Sequence, residues 1–290
     1  SLSPAFTAVG EMADAYFGFA VASAGDVNGD GYGDVLVGSY RYDDGVNRKN
    51  VGKVYVFHGG PGGVSGTAGT APFSAIGEMA EDWFGGAVGV AGDVNGDGYS
   101  DIVVAAESYA NGQAGSYTGK IYVFHGSANG VTGTTANPSF SAVGDAVQAR
   151  LGGSVSSAGD VNGDGYDDLA VGGYSYSSYR GKVWIFHGSA SGLTGTAAAP
   201  AWSAVGAGPY HWFGAAVTTA GDVNGDGYDD LVTGSLGFQS YRGRVYVFHG
   251  SAGGVTGSIA APAFQVTGEK TGSLLSWTVA SARDTNGDGY

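Results

Sequence analysis

Three observations predict an all-β protein assembled from repeated four-stranded antiparallel sheets. An Asp-rich turn recurs at regular intervals along the 290 residues, the stretches between its copies repeat the same short apolar runs, and 57 glycines punctuate those runs. The turn reads Asp26-Val27-Asn28-Gly29-Asp30-Gly31-Tyr32-Gly33-Asp34. It returns at residues 93–101, 160–168 and 222–230, then starts again at Asp284 and reaches Tyr290. Successive starts lie 67 or 62 residues apart, enough for four strands with generous loops. Such units describe a β-propeller of four-stranded blades, with four complete blades and partial strands at both ends, as in a fragment of a larger ring.

Each strand has its own signature. The first opens at Phe17, Phe84, Leu151, Phe213 and Leu275 and is built from Gly, Ala, Ser and Thr around one valine (Val21, Val88, Val155, Val217, Val279). Small side chains suit strands that crowd round a common axis. The second is a short apolar run such as Val35-Leu36-Val37 or Ile102-Val103-Val104, which reads as a strand buried on both faces. The third, Lys53-Val54-Tyr55-Val56-Phe57-His58 and its copies, alternates aliphatic and aromatic residues, so both of its faces need cover. The fourth is headed by Pro4, Pro72, Pro138, Pro200 or Pro262. Proline cannot donate to a ladder, so this strand belongs at the outer edge. The repeats run approximately 11–77, 78–144, 145–206 and 207–268, with a partial copy at 269–290 and an orphan outer strand at 1–10.

The turn places oxygens at positions one, three, five and nine and leaves the position-seven carbonyl free, while glycine at position six makes the sharp bend. Hard oxygens in that spacing suit Ca²⁺. The candidate ligands are Asp26, Asn28, Asp30, Tyr32 and Asp34; Asp93, Asn95, Asp97, Tyr99 and Asp101; Asp160, Asn162, Asp164, Tyr166 and Asp168; and Asp222, Asn224, Asp226, Tyr228 and Asp230. A fifth, incomplete set comprises Asp284, Asn286, Asp288 and Tyr290. These positions hold 14 of the 26 acidic residues, so bound divalent ions would offset most of the formal charge of −14.

Composition excludes other classes. Only 12 Lys and Arg occur, in no basic run, which argues against nucleic acid. There is no cysteine, hence no disulfide bracing or thiol chemistry, and no apolar run approaches a membrane span. His58, His125, His187 and His249 repeat at the end of the third strand and read as structural. No Ser/His/Asp arrangement stands apart from the repeats, so the expectation is a non-enzyme.

The Phe-Gly opening, the Asp-x-Asn-x-Asp-Gly-Tyr-x-Asp turn and the Leu-Val-Gly run resemble the FG-GAP repeats of the integrin α-chain β-propeller and its bacterial secreted relatives. That resemblance implies Ca²⁺ in the loop between strands one and two of each blade. Three departures stand out. The Ala-Pro that ends the family motif is replaced, by Ser39-Tyr40 in the first copy; the last turn begins Ala282-Arg283-Asp284-Thr285; and the integrin ring has seven blades.

In such a meander, the turns after strands one and three gather at one end and those after strands two and four at the other. The second end is rich in aromatics and arginine. Tyr42, Tyr109, Tyr176, Tyr179, Arg180, Phe238, Tyr241 and His211 are candidate ligand contacts there. The expected function is a calcium-stabilised binding or adhesion module, extracellular or on a bacterial surface, that meets a glycan or an extracellular protein. Alternatives are the propeller part of a secreted hydrolase or lyase, or a self-assembly module whose open ends join further blades or another copy.

Overall fold

The structure is a computed structural model that describes residues 4–46 and 48–282. Sixteen strands form four separate sheets. The first blade comprises β1 (Ala20–Gly25), β2 (Asp34–Ser39), β3 (Lys53–Phe57) and β4 (Phe73–Ile76). The second holds β5 (Phe84–Gly92), β6 (Asp101–Ala106), β7 (Lys120–Phe124) and β8 (Phe140–Val143). The third holds β9 (Ser154–Gly159), β10 (Asp168–Gly173), β11 (Lys182–Phe186) and β12 (Trp202–Val205), and the fourth β13 (Phe213–Gly221), β14 (Asp230–Ser235), β15 (Arg244–Phe248) and β16 (Phe264–Thr267). Each sheet is an antiparallel meander in chain order. The expected blades are therefore present, and their inner strands β1, β5, β9 and β13 pack side by side in sequence.

Glycine sets how closely the blades approach. A Cβ on Gly172 of β10 would come 2.0 Å from the backbone oxygen of Gly214, and Gly38 stands in the same relation to Gly85. No side chain fits there. Beyond this contact the outer strands β4, β8 and β12 each lay a ring on the third strand of the next blade: Phe73 on Phe124 at 5.5 Å, Phe140 on Phe186 at 5.6 Å and Trp202 on Phe248 at 5.2 Å. The buried clusters accordingly draw residues from two successive sheets.

The end segments need correction in detail. Residues 4–10 form no ladder, yet Phe6 rests on Phe57 at 5.6 Å, as an outer strand rests on the next blade. Residues 275–282 carry no strand either, although the Leu275 N–H donates to the Arg242 carbonyl at 3.2 Å, as Leu151 and Phe213 donate to the Thr118 and Arg180 carbonyls. The incomplete fifth turn, with Asp284, Asn286, Asp288 and Tyr290, lies outside the described residues.

Near its end, each inner strand slips register by one residue just before the Asp-rich turn, as between Ser23 and Gly25 in β1. Gly25 takes φ 76°, which an L side chain resists, and the buried Ala24 is the residue left over. The repeated Ala-Gly thus aims the turn.

Gly172→Ala should destabilise the protein by about 2–3 kcal/mol through forced overpacking. Gly62→Ala should change little, since nothing lies within 4 Å of that position. Denaturant melts of both variants check this.

Candidate metal loops and the aromatic end

The four complete turns share one internal hydrogen-bond pattern. In the first, the Asp26 carboxylate accepts the N–H groups of Asp30 at 3.1 Å and Gly31 at 2.8 Å, Asn28 Oδ1 accepts Asp30 N–H at 3.2 Å, and Asp30 Oδ1 accepts Tyr32 N–H at 3.0 Å. The loop folds its backbone around its own oxygens, with Gly29 and Gly31 at left-handed φ. Asn28 Nδ2 donates to Asp30 Oδ2 at 3.0 Å and contacts His58 Nδ1 at 3.4 Å. Asn95 makes the same contacts with Asp97 and His125.

Position nine does something the spacing did not reveal. Asp34 is buried, and its two oxygens accept Val27 N–H at 2.9 Å and Gly59 N–H at 2.7 Å, tying the turn to the exit of the third strand. Asp101, Asp168 and Asp230 repeat that bridge. Burial pushes the Asp101 and Asp168 carboxyls up to about 7, and the other carboxylates of each loop add to the effect. Among the described residues none of the four pairs with Lys or Arg.

Among the described residues no three acidic or imidazole side chains converge on one metal-sized point. The donor chemistry nevertheless fits a hard divalent ion. Every turn offers carboxylate, amide and carbonyl oxygens, and its buried carboxylate accepts neutral N–H groups and pairs with no Lys or Arg among the described residues. Asp26, Asn28, Asp30, the Tyr32 carbonyl and Asp34, with their counterparts, are the groups that would hold the ion.

The opposite end is different in kind. Phe19, Tyr40 and Trp83 stand against one another, with ring centroids 4.6 Å apart for Phe19–Tyr40 and 5.6 Å for Tyr40–Trp83. Together with Glu107, Gly86, Ala87 and Gly153 they line a cleft of about 260 Å³ between the first and second blades. The Glu107 carboxyl is pushed up by burial and held back by Arg150, 3.3 Å away, and by the Tyr174 hydroxyl. Arg41 lies 4.8 Å from the Tyr16 ring and 5.5 Å from Tyr40, so this cluster already stacks a guanidinium. Backbone strain gathers here too. Among the described residues, every non-glycine residue at left-handed φ lies in a loop after strand two or four, in the segment that leads into β1 or in the segment after β16, including Tyr16, Trp83, Arg150, Trp212 and Tyr241.

The candidate ligand contacts divide. Tyr42, Tyr109, Tyr176 and Phe238 occupy one structural place, each covered by the cation that opens the third strand: Lys53, Lys120 and Lys182 lie 5.0–5.1 Å from the first three rings and Arg244 lies 3.7 Å from Phe238. Tyr109 and Phe238 are buried there. Tyr179 and Tyr241 stay exposed, Arg180 donates to the Gly206 carbonyl, and His211 packs edge-on against Phe238 at 4.8 Å. Residues 176–179 and 238–241 wind a single turn in which Ser177, Ser178, Gln239 and Ser240 are left-handed.

The same lysines close the blade boundaries. Lys53 pairs with Glu11 at 2.6 Å, Lys120 with Glu78 at 2.9 Å and Lys182 with Asp145 at 2.7 Å, each acid following the outer strand of the preceding repeat. Sequence reasoning missed these clamps. Their signal was the recurring Gly-Lys that opens strand three and Gly-Glu or Gly-Asp that follows strand four.

Four antiparallel blades in succession, each with an oxygen-rich turn between its first two strands, define a β-propeller with a repeated Asp-rich turn. The FG-GAP repeat model matches residues 17–57, 84–124, 152–186 and 213–248, and the chain belongs to that family. It is 37% identical over 207 residues to integrin alpha-PS5 of Drosophila melanogaster, covering 68% of this chain and 19% of that one. Integrin alpha-5 of Xenopus laevis is 29% identical over 248 residues (82% and 22%), and integrin alpha-V of Gallus gallus 30% over 244 residues (80% and 21%). The chain thus spans about a fifth of the length of these relatives. Among the described residues no helix is long and apolar enough to cross a membrane.

One buried acid at the aromatic end gives a pH test. Asp82 is 1% exposed, where the other repeats have residues such as Ala15 and Ala149, and accepts Met79 N–H at 3.0 Å. Burial pushes its carboxyl up to about 7, with Glu78 adding and Lys120 and Arg48 opposing. A folded-state value above the unfolded one contributes stability below about pH 4 that is lost as pH rises through about 7. Asp82→Asn should therefore lose less stability than the parent between pH 5 and pH 8, as measured by urea melts.

Proposed function

We propose that this chain is an extracellular adhesion module, braced by calcium at one end, that grips a cationic side chain of a protein ligand at the other. The observation that carries this reading is the cleft between the first two blades, where Phe19, Tyr40 and Trp83 surround a space with the Glu107 carboxylate at its edge. Aromatic faces attract an ammonium or guanidinium through the ring quadrupole, and the Glu107 carboxylate, paired with Arg150 at 3.3 Å, would share its charge between Arg150 and the ligand's cation. Phe19 is 62% exposed and Tyr16 49%, so these rings are presented to solvent. The integrin likeness supports a protein ligand over a glycan.

Calcium braces the other end in this reading. Neutralising clustered carboxylates in the folded state alone raises stability by mass action, and extracellular modules work with cages of modest affinity.

Peptides carrying Lys or Arg should bind in calcium, while matched neutral peptides and neutral glycans should not. Phe19→Ala and Glu107→Gln should each weaken binding about 5- to 20-fold, as read by surface plasmon resonance. Equal binding of neutral glycans, or turnover of a polysaccharide or lipid, would displace this reading in favour of the lectin or enzyme alternatives. Chelation should lower the melting temperature by several degrees, and a melt indifferent to chelator would remove the brace.

A further inference from the structure

The residue at position eight of the second, third and fourth turns, Ser100, Asp167 and Asp229, is no ligand of its own loop, and its side chain points to the preceding blade. In the turn of the third blade this residue is Asp167. Its Oδ2 accepts the N–H of Asp93, residue one of the second blade's turn, at 2.8 Å, and its own N–H donates to the Asp93 carbonyl at 3.1 Å. Asp229 holds Asp160 in the same way, at 2.9 and 3.1 Å, and Ser100 holds Asp26 at 3.2 and 3.0 Å. Three junctions repeat one device.

Two further contacts reinforce it. The Val94 carbonyl, at position two, accepts Ser189 N–H from the third blade at 3.1 Å, with Val27–Ser127 and Val161–Ser251 as counterparts. The Tyr166 ring lies against Gly96, at position four, so closely that a Cβ there would meet it at 2.6 Å; Tyr99 on Gly29 and Tyr228 on Gly163 match. The N–H and carbonyl of residue one, the carbonyl of residue two and the bare face of residue four are thus all taken by the following blade.

We propose that position eight is a positioning residue for the metal loop one blade back, so that calcium affinity in each loop is set from the next blade. The inference rests on the calcium reading above. Residue one supplies the first carboxylate ligand, and its side chain can face the ion only if its backbone is held in place. Partners that orient ligands without touching the metal typically change affinity about 10- to 100-fold. The coupling runs in one direction, since Asp167 grips the second blade's loop while the third blade's loop is gripped by Asp229. The interaction is an acceptor's and does not require charge, so an amide can serve.

The test is calcium titration against a chromophoric chelator on the whole chain, with melts in chelator confirming that each variant folds. Asp167→Ala should weaken one site about 10-fold or more and leave the other sites unchanged, while Asp167→Asn should stay within about threefold of the parent. Asp97→Ala removes a ligand from the second blade's loop. In that background Asp167→Ala should cause no further loss. A loss as large with Asp97→Ala as without it would show that Asp167 serves its own loop and would overturn the proposal, as would unchanged affinity in the single variant. A parent chain that takes up no calcium would instead sink the calcium reading, and this inference with it. Amide exchange separates the two failures, because Asp93 N–H should exchange faster in Asp167→Ala even in chelator.

Discussion

The backbone of residue one in the first three Asp-rich turns, Asp26, Asp93 and Asp160, belongs to two blades at once. Its side chain accepts the N–H groups of its own loop, while its N–H and carbonyl are both engaged by the blade that follows. Other features of the turn follow from that sharing. In those turns position four must be glycine because the neighbour's tyrosine ring occupies the space of its Cβ, and position eight of the following blade carries a short acceptor, Ser100, Asp167 or Asp229. Position nine then anchors the loop to the exit of the third strand in its own sheet. The turn is a rivet as well as an oxygen cradle.

This arrangement divides work between the ends of the blades. At the turn end, glycines adopt the left-handed conformations and each strained position carries little steric cost. At the aromatic end, tyrosine, tryptophan, arginine and serine adopt them, which costs about 1–3 kcal/mol each and persists only where the surroundings enforce it. The stiff stack of sheets supplies that enforcement. Exposed rings held in uncommon backbone conformations lose little further entropy when a ligand docks, as preorganised binding surfaces require.

The strands and the turns were legible because each obeys a local rule: small residues for an inner strand, proline for an outer one, oxygens at fixed spacing for the loop. Relations between repeats were less legible. Asp34 carries a second task, its two bonds to Val27 and Gly59, and nothing local in the sequence separates it from Asp30. Tyr109 and Phe238 resemble presented aromatics in sequence, but the cation that opens the third strand covers them, a contact between residues 6 to 11 positions apart across a loop. Position eight looks variable because it reads Gly, Ser, Asp and Asp. Only the packing of one blade on the next gives Ser100, Asp167 and Asp229 a common role.

The unit of stability is therefore not the unit of sequence. An outer strand contributes its ring to the next blade's third strand, and the acid after it closes on the next blade's lysine, so most of what buries a blade comes from its neighbours. The fourth blade breaks the second part of that pattern. Ala207 stands where an acid would meet Arg244, and that guanidinium turns instead to the Phe238 ring and to the side chains of Thr267 and Gln265 in its own sheet. Phe264 on β16, the counterpart of Phe73, is 57% exposed where Phe73 is 7%. In a stack held by nearest-neighbour contacts, the blade with the fewest cross-boundary partners opens first, and the metal-type loop whose backbone is gripped from outside is the one that keeps its shape when it does.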